Sequence, residues 1–253
     1  MTFCLSLLRN SRNEAPKYLS RPWQFWQLFR DFTLYSPLFL APGEDHEIDE
    51  YCIISTRDVN LLALDGSNLD SMCCFKVDIK FVPSFDLVTL VNSLFFTHKF
   101  QTSGRQALYF GDVPYVYLGG CHPPRSLDTN HYVYEMFNFI SNAFPGLNLN
   151  SCLINYYPNS ESSIPFHADD EDCIAPRSFI ITLSLGATRT LFFKRLGSRN
   201  TNQTRLQVNL ADGEIIGFSR GSQDFFLHGI PSGKSGGLPR LSATFRSIIN
   251  RGW

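Results

Sequence analysis

The spacing of hydrophobic residues divides the chain into an irregular first part, a helical middle part and a β-rich last part. In residues 1–72 an aromatic segment around Trp23 and Trp26 favours a helix, and the prolines and acidic residues that follow favour a loop. No single period runs through this part. We therefore predict an N-terminal extension of undefined structure over residues 1–72 and one folded domain over residues 73–253.

Residues 73–146 carry the patterns of one strand and two helices. Alternating hydrophobic positions predict a strand over Cys74–Phe81. Pro83 and Ser84 are typical of a helix start, and hydrophobic residues follow at helical spacing: Leu87, Leu90, Val91 and Leu94. A second helix is predicted over Tyr132–Ala143, with one hydrophobic face formed by Tyr134, Phe137, Ile140 and Phe144.

After Gly146 the hydrophobic residues occur in short β-rich runs separated by turns. The predicted strands are Cys152–Tyr157, Phe179–Leu185, Arg189–Phe193, Arg205–Leu210, Glu214–Ser219, Asp224–His228 and Arg240–Ile249. Short strands at near-regular spacing, without helices between them, are typical of a sandwich or barrel. The predicted fold is therefore mainly β within the α+β class: a jelly-roll core braced by N-terminal helices.

The composition is that of a globular protein. The chain has 253 residues, 43% of them apolar and 18% charged, and no apolar run reaches the ~18 residues of a membrane span. Its seven cysteines are scattered and form no CxxC pair, which argues against a disulfide framework or a zinc knuckle. We expect a monomer without a membrane partner, in the reducing interior of a cell, in the cytoplasm or the nucleus.

Charge is distributed unevenly, although the net charge is only −1. Residues 41–70 contain eight acidic residues and one arginine, whereas residues 173–211 contain six basic residues and no acidic one. The six are Arg177, Arg189, Lys194, Arg195, Arg199 and Arg205. A basic stretch of this kind is suited to attract a polyanion. The alternative is a solvated surface without a partner.

One histidine stands two residues before an aspartate, in the segment His167-Ala168-Asp169. On a strand, residues i and i+2 point to the same face, so an imidazole and a carboxylate would converge there. His228 follows an apolar run that a strand would lead to the interior. Two histidines and one carboxylate on adjacent strands form the facial triad that binds non-haem Fe(II). The alternative is a polar surface turn and an unrelated core histidine.

The last predicted strand has a polar face, formed by Arg240, Ser242, Thr244 and Arg246. Two arginines on one face of an otherwise core-like strand are costly to bury unless an anion meets them. A small dicarboxylate would satisfy both, because a guanidinium binds a carboxylate through two hydrogen bonds. An edge strand with solvated arginines is the alternative.

Five blocks follow one another along residues 75–249: Gly104-Arg105 with Tyr109 to Asp112 and Tyr115 to Tyr117, Cys152 to Tyr157, His167 to Glu171, Phe226 to Gly229, and Arg240 to Arg246. With these blocks the sequence resembles the AlkB-type family of Fe(II)- and 2-oxoglutarate-dependent dioxygenases, whose signature is HxD, a distal histidine and RxNxTxR. The resemblance implies a double-stranded β-helix, which is a jelly-roll. It also implies Fe(II), 2-oxoglutarate and O2 as cofactor and co-substrates.

The resemblance assigns roles to individual residues. It implies three iron ligands, which are His167, Asp169 and His228. It implies a 2-oxoglutarate site made of Arg240 and Arg246 at the two ends of the molecule, with Asn155, Tyr157 and position 242 nearby. The sequence departs from the signature at Ser242, where the family has asparagine. A hydroxyl reaches less far than an amide, so a contact of this position is lost or bridged by water.

On the substrate side, the segment before the core forms a lid over a flipped base in this family, and Arg105, Tyr115 and Tyr117 fall there. Tyr117 is the candidate for stacking on the base. Asp170 and Glu171 match positions that contact the damaged base, and a carboxylate suits a cationic base such as 1-methyladenine or 3-methylcytosine. The resemblance thus implies demethylation of these bases or of N6-methyladenine in single-stranded RNA or DNA, with release of formaldehyde, succinate and CO2.

Two other functions stay open at this point. One is an oxygenase of the same type that acts on a protein or a lipid, although the basic stretch and the Asp170-Glu171 pair favour a base. The other is a catalytically silent nucleic-acid-binding module, which the presence of all three ligands and both arginines disfavours. The HxDDE form is also similar to versions embedded in RNA-virus replication proteins, which would make methylated RNA the natural substrate.

Overall fold

The structure is a computed structural model that describes residues 34–35, 74–77, 79–117, 120–176, 178–196, 206–224 and 226–250. In these residues the chain forms two β-sheets that pack face to face, with helices on the outer side of the larger sheet. The expected jelly-roll, mainly β, is confirmed. None of the helices in the described part is long and apolar enough to cross a membrane.

The strands are numbered in chain order. They are β1 (Leu34–Tyr35), β2 (Cys74–Val77), β3 (His98–Lys99), β4 (Gln106–Gly111), β5 (Tyr115–Tyr117), β6 (Gly120–His122), β7 (Ser151–Tyr157), β8 (Ile164–His167), β9 (Phe179–Gly186), β10 (Arg189–Arg195), β11 (Leu206–Leu210), β12 (Ile215–Ser219), β13 (Phe226–Ile230) and β14 (Arg240–Arg246). The major sheet has the order β1-β2-β12-β9-β14-β7-β4-β3, and the minor sheet the order β11-β10-β13-β8. Strands β5 and β6 form a separate hairpin.

From β7 onward the chain passes repeatedly between the two sheets. Strands β7, β9, β12 and β14 belong to the major sheet, and the strands between them belong to the minor sheet. All pairings within both sheets are antiparallel among the described strands. Gly186 allows one of these crossings, because its φ is +82° and a Cβ there would lie 2.6 Å from the carbonyl oxygen of Pro239. This winding places β8 and β13 side by side, opposite β14 and β7.

Strands β4 and β7 of the major sheet contribute to two different cores, because successive side chains point to opposite faces. Leu108, Phe110 and Ile154 pack under the helices, whereas Tyr109 and Leu153 pack against the minor sheet. The inner core is incomplete at its centre, where polar residues take the places of apolar ones: Asn155, Thr182, Ser184, Arg240, Ser242, Thr244 and Arg246. A polar cavity therefore lies between the sheets.

Two α-helices among the described residues cover the major sheet: α1 (Leu87–Asn92) and α2 (His131–Ala143). The Asp86 carboxylate caps α1 by accepting a hydrogen bond from the Thr89 N–H at 2.8 Å. The helix therefore begins after Asp86, and its predicted start at Pro83 and Ser84 was wrong. Ser84 instead donates its hydroxyl and N–H to the carboxylate of Glu135, which ties the preceding loop to α2.

The position of α2 was predicted to within one residue, and its hydrophobic face was predicted correctly except at Tyr134, because Ile140 and Phe144 are buried and Phe137 packs against the core. The residues buried against the sheet are Val133, Met136, Ile140 and Ala143. Tyr134 is exposed, because it stands one residue and about 100° away from the buried stripe. The sequence prediction counted Tyr134 as hydrophobic because of its large aromatic ring.

The strands predicted after Gly146 are present with shifted ends. Asp224 lies in a short 3-10 helix (Arg220–Asp224), so β13 begins at Phe226, and the last strand ends at Arg246 instead of Ile249. The first predicted strand ends at Val77 instead of Phe81. Strands β4 and β8 were not predicted as such.

The predicted N-terminal extension is almost entirely outside the described residues, as are its aromatic segment and the predicted boundary between residues 72 and 73. One short piece is described. Leu34 and Tyr35 pair with Val77 and Lys76, so β1 adds a strand to the edge of the major sheet.

The β5–β6 hairpin is held against the edge of the major sheet by aromatic rings. His122 lies in β6 with its ring centroid 3.9 Å from that of His98 in β3, and Tyr115 stacks on Tyr109 at 5.3 Å. His122 is buried. Burial lowers its pKa to about 4, and the nearby positive charges of His98 and Arg105 act in the same direction.

The buried His122 makes stability dependent on pH. Its pKa is about 4 in the folded protein and about 6.5 when unfolded, so between these values the unfolded chain binds the extra proton. We expect the free energy of unfolding to be highest above pH 6.5 and to fall as the pH is lowered toward 4. Urea unfolding of wild type and His122→Gln at pH 7.0, 5.5 and 4.5 tests this. The variant should lose less stability with acid, and parallel losses in the two proteins would contradict the prediction.

Candidate functional site

The cavity between the sheets brings together all eight residues expected to bind metal and 2-oxoglutarate. Its lining consists of Asn155, Tyr157, Ile164, His167, Asp169, Thr182, Leu191, Leu210, Phe218, His228, Ile230, Arg240, Ser242, Thr244 and Arg246. The minor sheet supplies the histidines, and the major sheet supplies the arginines, the asparagine and the hydroxyl groups. Residues distant in sequence thus share one cavity.

The two histidines lie on neighbouring strands, directly opposite each other. His167 is the last residue of β8 and pairs with His228 in β13, and their ring centroids are 4.3 Å apart. Glycine follows His228 for a steric reason. A Cβ at Gly229 would lie 3.0 Å from the carbonyl oxygen of Ile164 and the N of Phe166, so a side chain there would push the two strands apart.

Asp169 lies at the site but not on a strand, contrary to the prediction from the HxD spacing. Strand β8 ends at His167, and Asp169 lies in the following loop, so the shared face of a strand cannot explain the HxD spacing. The loop still turns its carboxylate inward. One donor atom each from His167, Asp169 and His228 lies within 4.8 Å of the others.

A buried ion pair holds the Asp169 carboxylate. Its Oδ2 accepts a hydrogen bond from Nη2 of Arg246, and both side chains are almost fully buried. Burial opposes ionisation, but the positive charge of Arg246 outweighs it and holds the pKa of Asp169 below its usual range. The same pairing raises the pKa of Arg246 against the effect of burial. Asp169 is therefore a carboxylate at neutral pH.

The donor atoms suit a divalent metal ion. The Nδ1 of His167 lies 2.9 Å from the carbonyl oxygen of Pro165, and a proton on Nδ1 turns the lone pair of Nε2 toward Asp169 Oδ1, 3.5 Å away. Two facing lone pairs need a cation or a proton between them. Burial and the charge of His167 lower the pKa of His228 to about 3, so its imidazole is neutral, as a metal ligand must be. Two imidazoles and one carboxylate match the set typical of non-haem Fe(II).

Arg240 is a buried cation without a carboxylate partner among the described residues. Its side chain is 1% exposed, its Nε donates to Ser184 Oγ at 3.0 Å, and its Nη1 has no hydrogen-bond partner. Burial lowers its pKa. A buried guanidinium of this kind is stable only with an anion close by. The Nη1 atom therefore fits one carboxylate of 2-oxoglutarate.

Asn155, Tyr157 and Ser242 surround Arg240 as neighbours in the sheet. In the pairing of β7 with β14, Tyr157 is opposite Arg240 and Asn155 is opposite Ser242. The guanidinium of Arg240 lies 5.3 Å from the centroid of the Tyr157 ring. Ser242 is shorter than the asparagine of the family signature, but it still lies in the row of polar residues on β14. No hydrogen bond of its side chain is described.

Arg105 and Tyr115 do not lie on an open lid. Arg105 is 1% exposed, donates from Nη1 to Asn155 Oδ1, and packs its guanidinium 4.0 Å from the centroid of Phe100. Tyr115 is fully buried, with the guanidinium of Arg246 5.4 Å from its ring centroid. Both side chains are therefore enclosed beneath the surface, and their contact with a base stays a prediction. Tyr117 belongs to β5, and its side chain is outside the described part.

Asp170 and Glu171 have different surroundings. Asp170 is exposed, and its carbonyl oxygen accepts a hydrogen bond from Arg220. Glu171 is half-buried, and its Oε2 has no hydrogen-bond partner. Burial and the negative charge of Asp169 raise the pKa of Glu171 to about 6. Only Glu171 therefore presents a partly desolvated carboxylate next to the metal ligands.

The described part of the basic stretch does not form one charged surface. Arg189 uses its guanidinium to donate to the carbonyl oxygens of Asn159, Ser162 and Pro231, so it ties loops together. Lys194 lies on the outer face of the minor sheet, with its Nζ 4.3 Å from the centroid of Phe166. Arg177, Arg199 and Arg205 are outside the described residues.

Two polar groups of the cavity, Thr182 and Ser184, were not predicted as site residues. Thr182 Oγ1 donates to Thr244 Oγ1 at 3.3 Å, and Ser184 Oγ accepts from Arg240. The signal was present in the sequence, because both residues interrupt an apolar strand at alternate positions and so share one face. The polar face of β14 has a matching polar face on β9.

A 2-His-1-carboxylate set beside a buried arginine that needs an anion defines the site of a non-haem iron oxygenase. Over residues 120–246, which are half of the chain, the sequence matches the 2OG-Fe(II) oxygenase superfamily. The chain belongs to this superfamily. Fe(II), 2-oxoglutarate and O2 are the cofactor and co-substrates of the family, and the residues of the cavity fit the first two.

Individual relatives cover part of the chain. Human alpha-ketoglutarate-dependent dioxygenase alkB homolog 3 is 26% identical over 152 residues, 57% of this chain and 51% of that protein. Human DNA oxidative demethylase ALKBH2 is 32% identical over 108 residues, 41% of each chain. The chain spans about half the length of the curated relatives it matches. The structure of OsALKBH1 is similar at a TM-score of 0.41 and 18% identity over 61% of this chain and 84% of that one, which adds nothing to the family assignment.

The unpaired Arg240 gives a direct test of the anion site. We expect Arg240→Gln to weaken 2-oxoglutarate binding by about 100-fold, because a buried charge pair is lost. Arg240→Lys should recover part of the affinity, since it keeps the charge but not the planar fork. Calorimetric titration of the Mn(II)-loaded protein with 2-oxoglutarate measures both.

The matched control is Arg125→Gln, since Arg125 is a half-buried arginine that lies outside the cavity, with its guanidinium 5.7 Å from the centroid of Phe110. Equal affinities of the Arg240 and Arg125 variants for 2-oxoglutarate would show that Arg240 does not bind the co-substrate.

Proposed function

We propose that the chain is an oxidative demethylase that removes N-methyl groups from bases of single-stranded RNA or DNA. The observation that carries the proposal is the cavity lined both by the triad His167, Asp169 and His228 and by Arg240, whose Nη1 has no hydrogen-bond partner. The half-buried carboxylate of Glu171 follows two residues after Asp169 in the same loop. Two relatives support it by name, since one is an alpha-ketoglutarate-dependent dioxygenase and the other a DNA oxidative demethylase. An oxygenase for protein or lipid and a silent binding module are outcomes of the test below.

The proposed reaction oxidises the N-methyl group of the base. When bound, Fe(II) with O2 couples the decarboxylation of 2-oxoglutarate to succinate and CO2 with hydroxylation of the N-methyl group, and the N-hydroxymethyl product loses formaldehyde. His167, Asp169 and His228 would hold the metal and leave coordination positions open. The protein contributes the positions of the reactants and the exclusion of water.

The two arginines of β14 have different roles in this proposal. Arg240 binds the distal carboxylate of 2-oxoglutarate, because it has an unused Nη1 and no acidic partner among the described residues. Arg246 already pairs with Asp169, so it orients that ligand and meets the other end of 2-oxoglutarate with its remaining donors, of which Nε has no partner. Asn155 and Tyr157 add hydrogen bonds.

The substrate class follows from the charge beside the metal ligands. The Glu171 carboxylate has lost part of its hydration and has an unpaired Oε2, so a cationic base such as 1-methyladenine or 3-methylcytosine would gain more there than a neutral base. Tyr117 on the hairpin is the proposed stacking residue. We also propose that the protein acts as a monomer in the cytoplasm or nucleus, and that basic residues of 173–211 hold the backbone.

A panel of methylated oligonucleotides tests the proposed activity. Single-stranded RNA and DNA with 1-methyladenine, 3-methylcytosine or N6-methyladenine are incubated with Fe(II), ascorbate, 2-oxoglutarate and either wild type or His167→Ala. We expect mass spectrometry to show loss of one methyl group with wild type alone, and best on a cationic base. Consumption of 2-oxoglutarate without any demethylated oligonucleotide would mean another substrate class. No consumption at all would favour the silent binding module.

The role of Glu171 is tested by base selectivity. Glu171→Gln removes the charge and keeps the shape, so we expect kcat/KM for 1-methyladenine to fall about tenfold relative to that for N6-methyladenine. Asp172→Asn is the matched control, because Asp172 is exposed in the same loop. If the two variants change the ratio of kcat/KM values equally, Glu171 does not read the charge of the base.

A further inference from the structure

The backbone of the ligand residue Asp169 does not belong to a strand. Its neighbour His167 is fixed by the pairing of β8 with β13, but the chain leaves the sheet before it reaches Asp169. The backbone N–H of Asp169 instead donates to Oε1 of Gln223 at 3.0 Å. Gln223 is 3% exposed and lies in the 3-10 helix Arg220–Asp224.

The 3-10 helix contacts the next residue of the loop as well. Arg220 donates from Nη2 to the carbonyl oxygen of Asp170 at 2.9 Å and from Nη1 to Asp224 at 3.0 Å. The helix itself is anchored, because the N–H of Arg220 donates to the carbonyl oxygen of Ser178 at the start of β9. Two consecutive residues of the ligand loop are therefore held by one anchored element.

The other end of the loop, residues 173–175, is bound to the segment that follows β14. Ala175 donates its N–H to Ser247, and Ile249 donates its N–H to Cys173, which joins the loop to the segment after β14. These hydrogen bonds fix residues 173–175, whereas the backbone of Asp169 is held by Gln223 in the 3-10 helix. In the sequence the helix is followed by β13, which carries His228.

We propose that Gln223 is a positioning residue for the metal ligand Asp169. Its amide oxygen fixes the backbone of Asp169, and through it the carboxylate, relative to the strand that carries His228. This inference rests on the metal site of the proposed function. A neutral acceptor suits the position, because it satisfies a buried N–H without adding negative charge beside an already buried carboxylate.

The test measures metal affinity in the absence of 2-oxoglutarate and oligonucleotide. Gln223→Met keeps length and approximate volume but removes the acceptor, and loss of an outer partner of a metal ligand typically weakens binding about 10- to 100-fold. We expect a weakening in this range for Mn(II), measured from the electron paramagnetic resonance signal of the free ion. Gln223→Glu restores an acceptor at the same reach, although it adds the negative charge that the native amide avoids, and should therefore bind Mn(II) more tightly than Gln223→Met.

The controls separate positioning from general destabilisation. Gln207→Met, at an exposed position of β11, should bind Mn(II) like wild type. If Gln223→Met does not fold, as judged by circular dichroism, Gln223→Asn takes its place, because its amide is one methylene too short to reach Asp169. Wild-type affinity in a folded Gln223→Met or Gln223→Asn would overturn the proposal. A wild-type protein that binds no Mn(II) would overturn the metal site itself, whereas an inactive oligonucleotide panel would leave this result standing.

Discussion

The buried ion pair between Arg246 and Asp169 is the interaction on which the site depends. Arg246 belongs to the major sheet, and Asp169 follows a strand of the minor sheet, so the pair joins the two layers at the point where a metal ion would bind. The Tyr115 ring of the hairpin lies against the same guanidinium. An ion pair this deeply buried contributes less to stability than to placement, because desolvation offsets much of the attraction. Its importance is that the carboxylate stays ionised and stays in place.

The two arginines of β14 show how one strand can serve two purposes. They share a face, but Arg246 has its counter-charge within the protein, whereas no described carboxylate neutralises Arg240. The protein therefore tolerates an uncompensated buried cation at one end of a polar row. Such a group is costly in the absence of a ligand, and the cost is recovered when an anion binds. The charge of Arg240 therefore attracts an anionic co-substrate independently of how well its shape fits the cavity.

Regular strand patterns made much of the site predictable from the sequence. The polar face of β14 was predicted from alternation and the inward position of His228 from the apolar run before it, because both residues lie within regular strands. The path of the chain to Asp169 was not predicted, since it depends on a loop held by Gln223 and Arg220. The burial of Arg105 and Tyr115 was not predicted for a related reason: a charged or hydroxylated side chain is expected to be exposed, and only its tertiary neighbours, Asn155 and Arg246, show that it is buried.

The winding of the chain between the sheets has a consequence for folding. His167 and His228 belong to adjacent strands but are separated in sequence by four further strands, and the Arg246 that holds Asp169 comes later still. Pairings of such long sequence separation form slowly, because loop-closure entropy must be overcome first. During synthesis the three metal ligands are all present once β13 has left the ribosome, but the arginine that holds Asp169 follows only with β14. The complete metal site is thus among the last features to form, and an emerging chain carries its histidines without an assembled centre for oxidative chemistry.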